Sequence, residues 1–120
     1  MQSIESSYSA LRCSMCGQPH DPDMLQTVCE SCGKVLLAEY DLERAARSMT
    51  VAALADRPWN LWRYAEIMPV RYPHHRLTLA EGGTPLLPAP VIGERIGLPG
   101  LLVKDEGRNP TGSFKARGLG

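Results

Sequence analysis

The chain has 120 residues, 43% of them hydrophobic and 22% charged, with thirteen Lys and Arg against thirteen Asp and Glu. The even charge disfavours a basic nucleic-acid binder, and the ordinary apolar share disfavours a disordered chain. Nothing approaches the roughly 18 apolar residues of a membrane span, and residues 1–20 lack the basic and apolar regions of a secretory leader, so a cytoplasmic protein with no membrane partner is expected.

Charge is unevenly placed. Residues 1–40 hold Arg12 and Lys34 against Glu5, Asp21, Asp23, Glu30 and Glu39, a net −3, which leaves +3 for residues 41–120. All four cysteines lie in the acidic part, as CSMCG at 13–17 and CESCG at 29–33. A reducing compartment makes structural disulfides improbable, and two Cys-x2-Cys turns suit a metal instead. Each turn presents two thiolates, and the glycine behind it allows a positive φ that aims backbone N–H groups at the sulfurs. Cys13, Cys16, Cys29 and Cys32 are therefore the candidate ligands of a structural zinc. Between the pairs a turn is expected at Pro19–Asp23 and a return strand at Met24–Val28, with a further strand in KVLLAEY, giving a zinc ribbon over residues 1–40. A redox role is disfavoured, because a thioredoxin-like site needs one pair inside a βαβ unit; a ribbon that no longer holds metal is the other alternative. His20 is left out of the ligand set, since four thiolates close it. At −3 the ribbon would repel nucleic-acid phosphates.

Residues 41–76 read as a helical linker. Asp41 is a plausible cap for DLERAARSMT, which contains no Gly or Pro. WNLWRYAEIM places Trp59, Trp62, Ala65 and Ile67 or Met68 on one face at helical spacing, ended by Pro69, and its aromatics are expected to pack. His74 and His75 fall in a polar loop.

From residue 77 a third segment begins. EGGTPLLPAP offers a glycine turn and a short strand, VIGERIG a short helix that Gly97 can end, and Leu101–Lys104 a second short strand. NPTGSFKARG at 109–118 reads as a turn opening into a helix capped by Ser113. Lys115 would then sit in a first helical turn near Arg117, where a second positive charge is disfavoured and an amine is more readily deprotonated for nucleophilic use, although position alone equally suits a solvated surface lysine. Lys104 and Glu106 read as a plain solvated pair, with an ion pair supporting this turn as the alternative.

EGGTPL, VKDEG and NPTGSFKARG together resemble the start of the catalytic domain of the fold-type II pyridoxal-phosphate enzymes. The resemblance implies that the lysine of the SFKxRG pattern, Lys115, is the catalytic and cofactor-binding residue and forms the internal Schiff base with pyridoxal 5'-phosphate. Ala116 stands where many relatives carry aspartate, so a polar contact beside the lysine is not carried over, while the lysine is. The four-cysteine segment, LWRY…MPV and EGGTPL make the chain most similar to the threonine synthase family. That implies conversion of O-phospho-L-homoserine and water to L-threonine and phosphate, and hence a phosphorylated amino acid as small-molecule partner; oligomeric state leaves no trace. The expected fold is a small β zinc ribbon followed by the incomplete start of an α/β domain over residues 77–120. The family's phosphate-cradling glycine-rich loop is missing from these residues, so an amino-terminal fragment, inactive alone, is expected. The alternatives are a threonine dehydratase-like or other β-replacement enzyme, and a free-standing zinc-ribbon binding module.

Overall fold

The computed structural model describes residues 4–119; the outermost ends of the expected first and third segments, residues 1–3 and 120, lie outside the described residues. The chain divides into two compact units, one of Met1–Arg57 with Trp62–Arg76 and one of Pro58–Leu61 with Leu77–Gly120.

In the first unit, β1 (Tyr8–Cys13) is the middle strand of a three-stranded antiparallel sheet, flanked by β2 (Pro19–His20) and β3 (Leu36–Tyr40). β1 pairs Leu11 with Ala38 and Cys13 with Leu36, and the register shifts between Tyr8 and Ala10. Tyr8 and Tyr40 close the far end with ring centroids 5.9 Å apart. The sequence pattern did not single out β1, because YSALRC mixes polar and apolar residues without strict alternation. The strand expected at Met24–Val28 does not form. Asp21 instead gathers the chain into a turn, its carboxylate accepting from Asp23 N at 2.9 Å, and Leu25 is fully exposed. Only Val28 pairs, in an isolated bridge to Val35. Pro19 and His20, expected within that turn, pair with Arg12 and Leu11.

Two short helices follow. α1 (Leu42–Ser48) is capped by Asp41, whose carboxylate accepts from Arg44 N at 2.8 Å, and α2 (Val51–Ala55) is capped by Thr50. Leu61–Ile67 is 3₁₀ rather than α-helical and kinks at Tyr64. Its buried residues are Arg63, Ala65 and Glu66. The Glu66 carboxylate takes both ends of the Arg57 guanidinium, at 2.7 and 2.8 Å, and the Ser48 hydroxyl at 3.0 Å. A buried ion pair thus occupies the place expected of an aromatic face, and Trp59 remains 67% exposed.

The second unit holds an antiparallel ribbon of β4 (Leu86–Pro88) and β5 (Leu102–Lys104), with α3 (Pro90–Arg95) between them. Gly97 ends that helix region at φ +73°. A 3₁₀ turn at Glu106–Arg108 leads to α4 (Ala116–Leu119). Both ribbon strands are exposed along their whole length. Among the described residues no helix is long and apolar enough to cross a membrane.

Candidate metal centre and lysine-bearing turn

The end of β1 delivers Cys13 and the first knuckle, and the turn before β3 delivers the second. Gly17 and Gly33 adopt φ +73° and +67°, and their N–H groups bond back to Cys13 O and Cys29 O at 3.2 and 2.7 Å. Both turns therefore need the positive φ that glycine tolerates. The Sγ atoms of Cys13, Cys16, Cys29 and Cys32 all lie within 4.8 Å of one another. The Cys13–Cys32, Cys16–Cys29 and Cys16–Cys32 separations are 3.5, 3.6 and 3.7 Å, far beyond the roughly 2.05 Å of a disulfide. Four sulfurs about 2.3 Å from one ion at tetrahedral angles stand about 3.8 Å apart, so the donor set fits a tetrahedral thiolate-loving metal.

The acid–base state of the cluster points the same way. Burial opposes the Cys29 thiolate, yet backbone donation led by Cys32 N–H brings its pKa down to about 6. At Cys32 the Lys34 N–H favours the thiolate, but the neighbouring sulfurs, Cys13 first, and burial push it up to about 12. Four crowded thiols cannot all ionise without a compensating positive charge, and a divalent cation supplies one. His20, paired into β2, is not among the four grouped sulfur donors, but its side chain hydrogen-bonds Cys29 and also favours that thiolate. His74 and His75 are exposed in a short 3₁₀ turn, their rings packed on Tyr72.

In the second unit the lysine-bearing turn lies against the glycine pair. Glu81 is buried, and its carboxylate accepts from Leu79 N at 2.7 Å and Thr78 Oγ1 at 2.9 Å; burial acts against its charge, but its own backbone N–H and then these two donors hold its pKa below the usual carboxylate range. Gly82 and Gly83 follow at φ +87° and +60°. A Cβ on Gly83 would stand 2.1 Å from Trp59 O, and the Trp59 indole N–H donates to Gly83 O at 2.9 Å. Gly82 N donates to the buried Asn109 side chain at 3.0 Å. EGGT is thereby tied to the start of NPTGSFKARG.

Asn109 to Gly112 forms a turn closed by Gly112 N donating to Asn109 O at 2.8 Å, with Gly112 at φ +69°. Ser113 Oγ accepts from Lys115 N at 3.3 Å, but α4 begins only at Ala116, so Lys115 ends the preceding turn rather than sitting inside the helix. Its side chain is exposed, and among the described residues Nζ has no hydrogen-bond partner. An uncommitted amine on an ordered turn fits covalent attachment to an aldehyde cofactor.

Among the described residues Lys104 and Glu106 do not pair with each other, and Glu106 is not a plain solvated charge. Lys104 Nζ donates to Thr84 O, while Glu106 takes Arg117 in a two-pronged pair at 2.6 and 2.8 Å. Arg117 and then Thr84 lead the groups that hold the Glu106 carboxyl down to about 2. Spacing alone could not find this pair, because eleven residues separate the partners and the intervening turns bring them together.

Residues 77–120 match the family model described as pyridoxal-phosphate dependent enzyme. The chain is 41% identical over 108 residues to threonine synthase of Methanocaldococcus jannaschii, covering 90% of this chain and 26% of that protein. It is 37% identical over 109 residues to threonine synthase of Methanosarcina acetivorans, covering 91% and 26%, and 51% identical over 57 residues to that of a Synechocystis species, covering 47% and 15%. The chain thus spans about a quarter of the length of the first two relatives. No solved structure matches it significantly.

Proposed function

We propose that this chain, related over nine-tenths of its length to threonine synthases of the pyridoxal-phosphate dependent enzyme family, contributes a metal-binding ribbon and the lysine-bearing start of a catalytic domain to such an enzyme. The reaction is conversion of O-phospho-L-homoserine and water to L-threonine and phosphate. The observation that carries this reading is the ordered turn that presents the uncommitted amine of Lys115 beside the EGGT segment.

Bound pyridoxal phosphate supplies an electron sink for charge developing next to the substrate's amino-bearing carbon. Lys115 would hold the cofactor through Nζ, and its amine would move protons at the substrate's Cα and Cβ. Gly112 supplies the turn geometry behind it. Cys13, Cys16, Cys29 and Cys32 hold zinc in a structural role, the four-sulfur set leaving no open position for substrate.

The test is borohydride reduction of the full-length protein incubated with pyridoxal phosphate, followed by peptide mapping. The cofactor mass is expected on Lys115, and Lys115→Ala is expected to abolish both trapping and phosphate release from O-phospho-L-homoserine. Trapping at a different lysine overturns the assignment. Turnover of threonine or serine without turnover of the phosphorylated substrate favours a dehydratase. Residues 1–120 alone are expected to release no phosphate, because one two-stranded ribbon does not build the layered sheet that encloses a cofactor.

A further inference from the structure

Within the second unit, three separate stretches meet at one carboxylate. Glu106 Oε2 accepts from Arg117 Nε at 2.6 Å and from Asn109 Nδ2 at 3.0 Å. Its Oε1 accepts from Arg117 Nη2 at 2.8 Å and from the Thr84 hydroxyl at 2.6 Å. Arg117 Nη2 reaches Thr84 Oγ1 as well, at 3.1 Å, and Asn109 in turn accepts from Gly82 N. Thr84 and Asn109 are each only 4% exposed. The network ties the glycine loop, the turn after β5 and the first residues of α4 to one another.

Lys115 itself gains no anchoring from its own side chain. Its neighbour Ala116 is buried, and Arg117, two residues on, is the first side chain past the lysine that is fixed by polar contacts. The turn between is closed by local bonds, Lys115 N to Ser113 Oγ, Ala116 N to Ser113 O, Arg117 N to Phe114 O and Gly118 N to Lys115 O. These hold the turn's shape and say nothing of its orientation on the loop beneath. A planar guanidinium engaging both carboxylate oxygens fixes orientation as well as distance, which a point-charge ammonium does not.

We propose that Glu106, Arg117 and Thr84 are positioning residues that latch the Lys115 turn onto the glycine loop, so that its amine is held where the cofactor's aldehyde carbon must lie. The inference rests on Lys115 as the cofactor lysine. An ion pair serving stability alone would leave the lysine's chemistry unchanged when weakened, whereas a latch that aims the amine cannot be loosened without changing that chemistry.

The experiment uses the full-length protein, with Arg117→Lys, Thr84→Val and Thr84→Ser. It reads borohydride trapping on Lys115 at limiting pyridoxal phosphate, the pH dependence of the bound cofactor's visible absorption, and kcat and KM separately. Arg117→Lys and Thr84→Val are expected to reduce trapping, to move the pH midpoint of the visible band, and to lower kcat by about tenfold to a hundredfold, as misplacement of a reacting group by roughly 1 Å does. KM is expected to stay nearly unchanged, and Thr84→Ser to behave as the unsubstituted protein. Thr84→Val keeps the shape of the side chain, so it carries the test if Arg117→Lys fails to fold. Lower melting temperatures with unaltered trapping, pH profile and kcat overturn the latch and leave the proposed function standing. Absence of trapping on Lys115 in the unsubstituted protein overturns both.

Discussion

Glu66 exposes 1% of its side chain and keeps its charge through Arg57 and Ser48. Burial works against that charge, but the Arg57 guanidinium, the backbone N–H of Glu66 and the Ser48 hydroxyl together lower the carboxyl's pKa. Glu66→Ala leaves Arg57, itself nearly buried, without its carboxylate, and is expected to destabilise the first unit by about 3–5 kcal/mol in a denaturant titration. Glu106 sets a pH dependence in the second unit. Its folded pKa of about 2 lies below the ordinary value near 4.3, so its contribution is present above pH 4.3 and is lost as pH falls towards 2. Acid titration is expected to loosen the unsubstituted second unit across that window, read by amide exchange around Thr84 and Arg117. Glu106→Gln is expected to remove this acid step; an acid transition unchanged by that substitution would sink the assignment. Residue-scale chemistry was partly legible beforehand: Lys115 stood out by motif and the cysteines by spacing, while Glu106 read as a solvated charge and nothing marked Glu66. Their partners lie nine and eleven residues away through kinked turns, and no helical or strand periodicity encodes such distances.

The elements show how local chemistry succeeds where it is self-contained. The Asp41 cap acts on a donor three residues along, within reach of any short-range reading. Asp41→Ala is expected to cost about 1 kcal/mol and to fray α1, measured by exchange at Arg44 N and by thermal melting. The glycine ending α3 and the two strands of the β4–β5 ribbon follow the same logic, as turn residues flank short apolar runs. Periodicity misled at Leu61–Ile67, where aromatic spacing suggested an amphipathic α-helix and the chain instead takes a kinked 3₁₀ path around a buried ion pair. It misled at Met24–Val28 too, because Asp21 offers its side chain to the backbone and a turn outcompetes a strand that has few apolar partners.

At the scale of the whole molecule the two units hold themselves together by different means. The first has a small apolar core in which Tyr8, Cys13, Cys29, Ala45 and Ala65 are buried, and its sheet converges on the four sulfurs. A metal bound there would contribute stability that so small a core lacks. The expected result is one zinc per chain by native mass spectrometry. Adding a strong chelator should then collapse the chemical-shift dispersion of the amide resonances of residues 8–40, while Cys29→Ser should lower the zinc content. Retention of that sheet without metal would remove zinc from the account of its stability. The second unit leaves Leu86, Leu87, Leu102 and Val103 on an exposed two-stranded ribbon, an arrangement only marginally stable in water by itself.

Residue types and their spacing by themselves determined the four-sulfur set, the helix cap at Asp41, the glycine turns and the lysine on its turn, because each depends on chemistry within a few residues along the chain. Tertiary structure alone decided which charges pair, which side chains are buried and what orients the Lys115 turn. Glu66 meets Arg57, and Glu106 meets Arg117 and Thr84, only after kinks and glycine turns at positive φ fold distant stretches against one another. A carboxylate's partner is chosen by the nearest donor in space, and sequence distance does not carry that information.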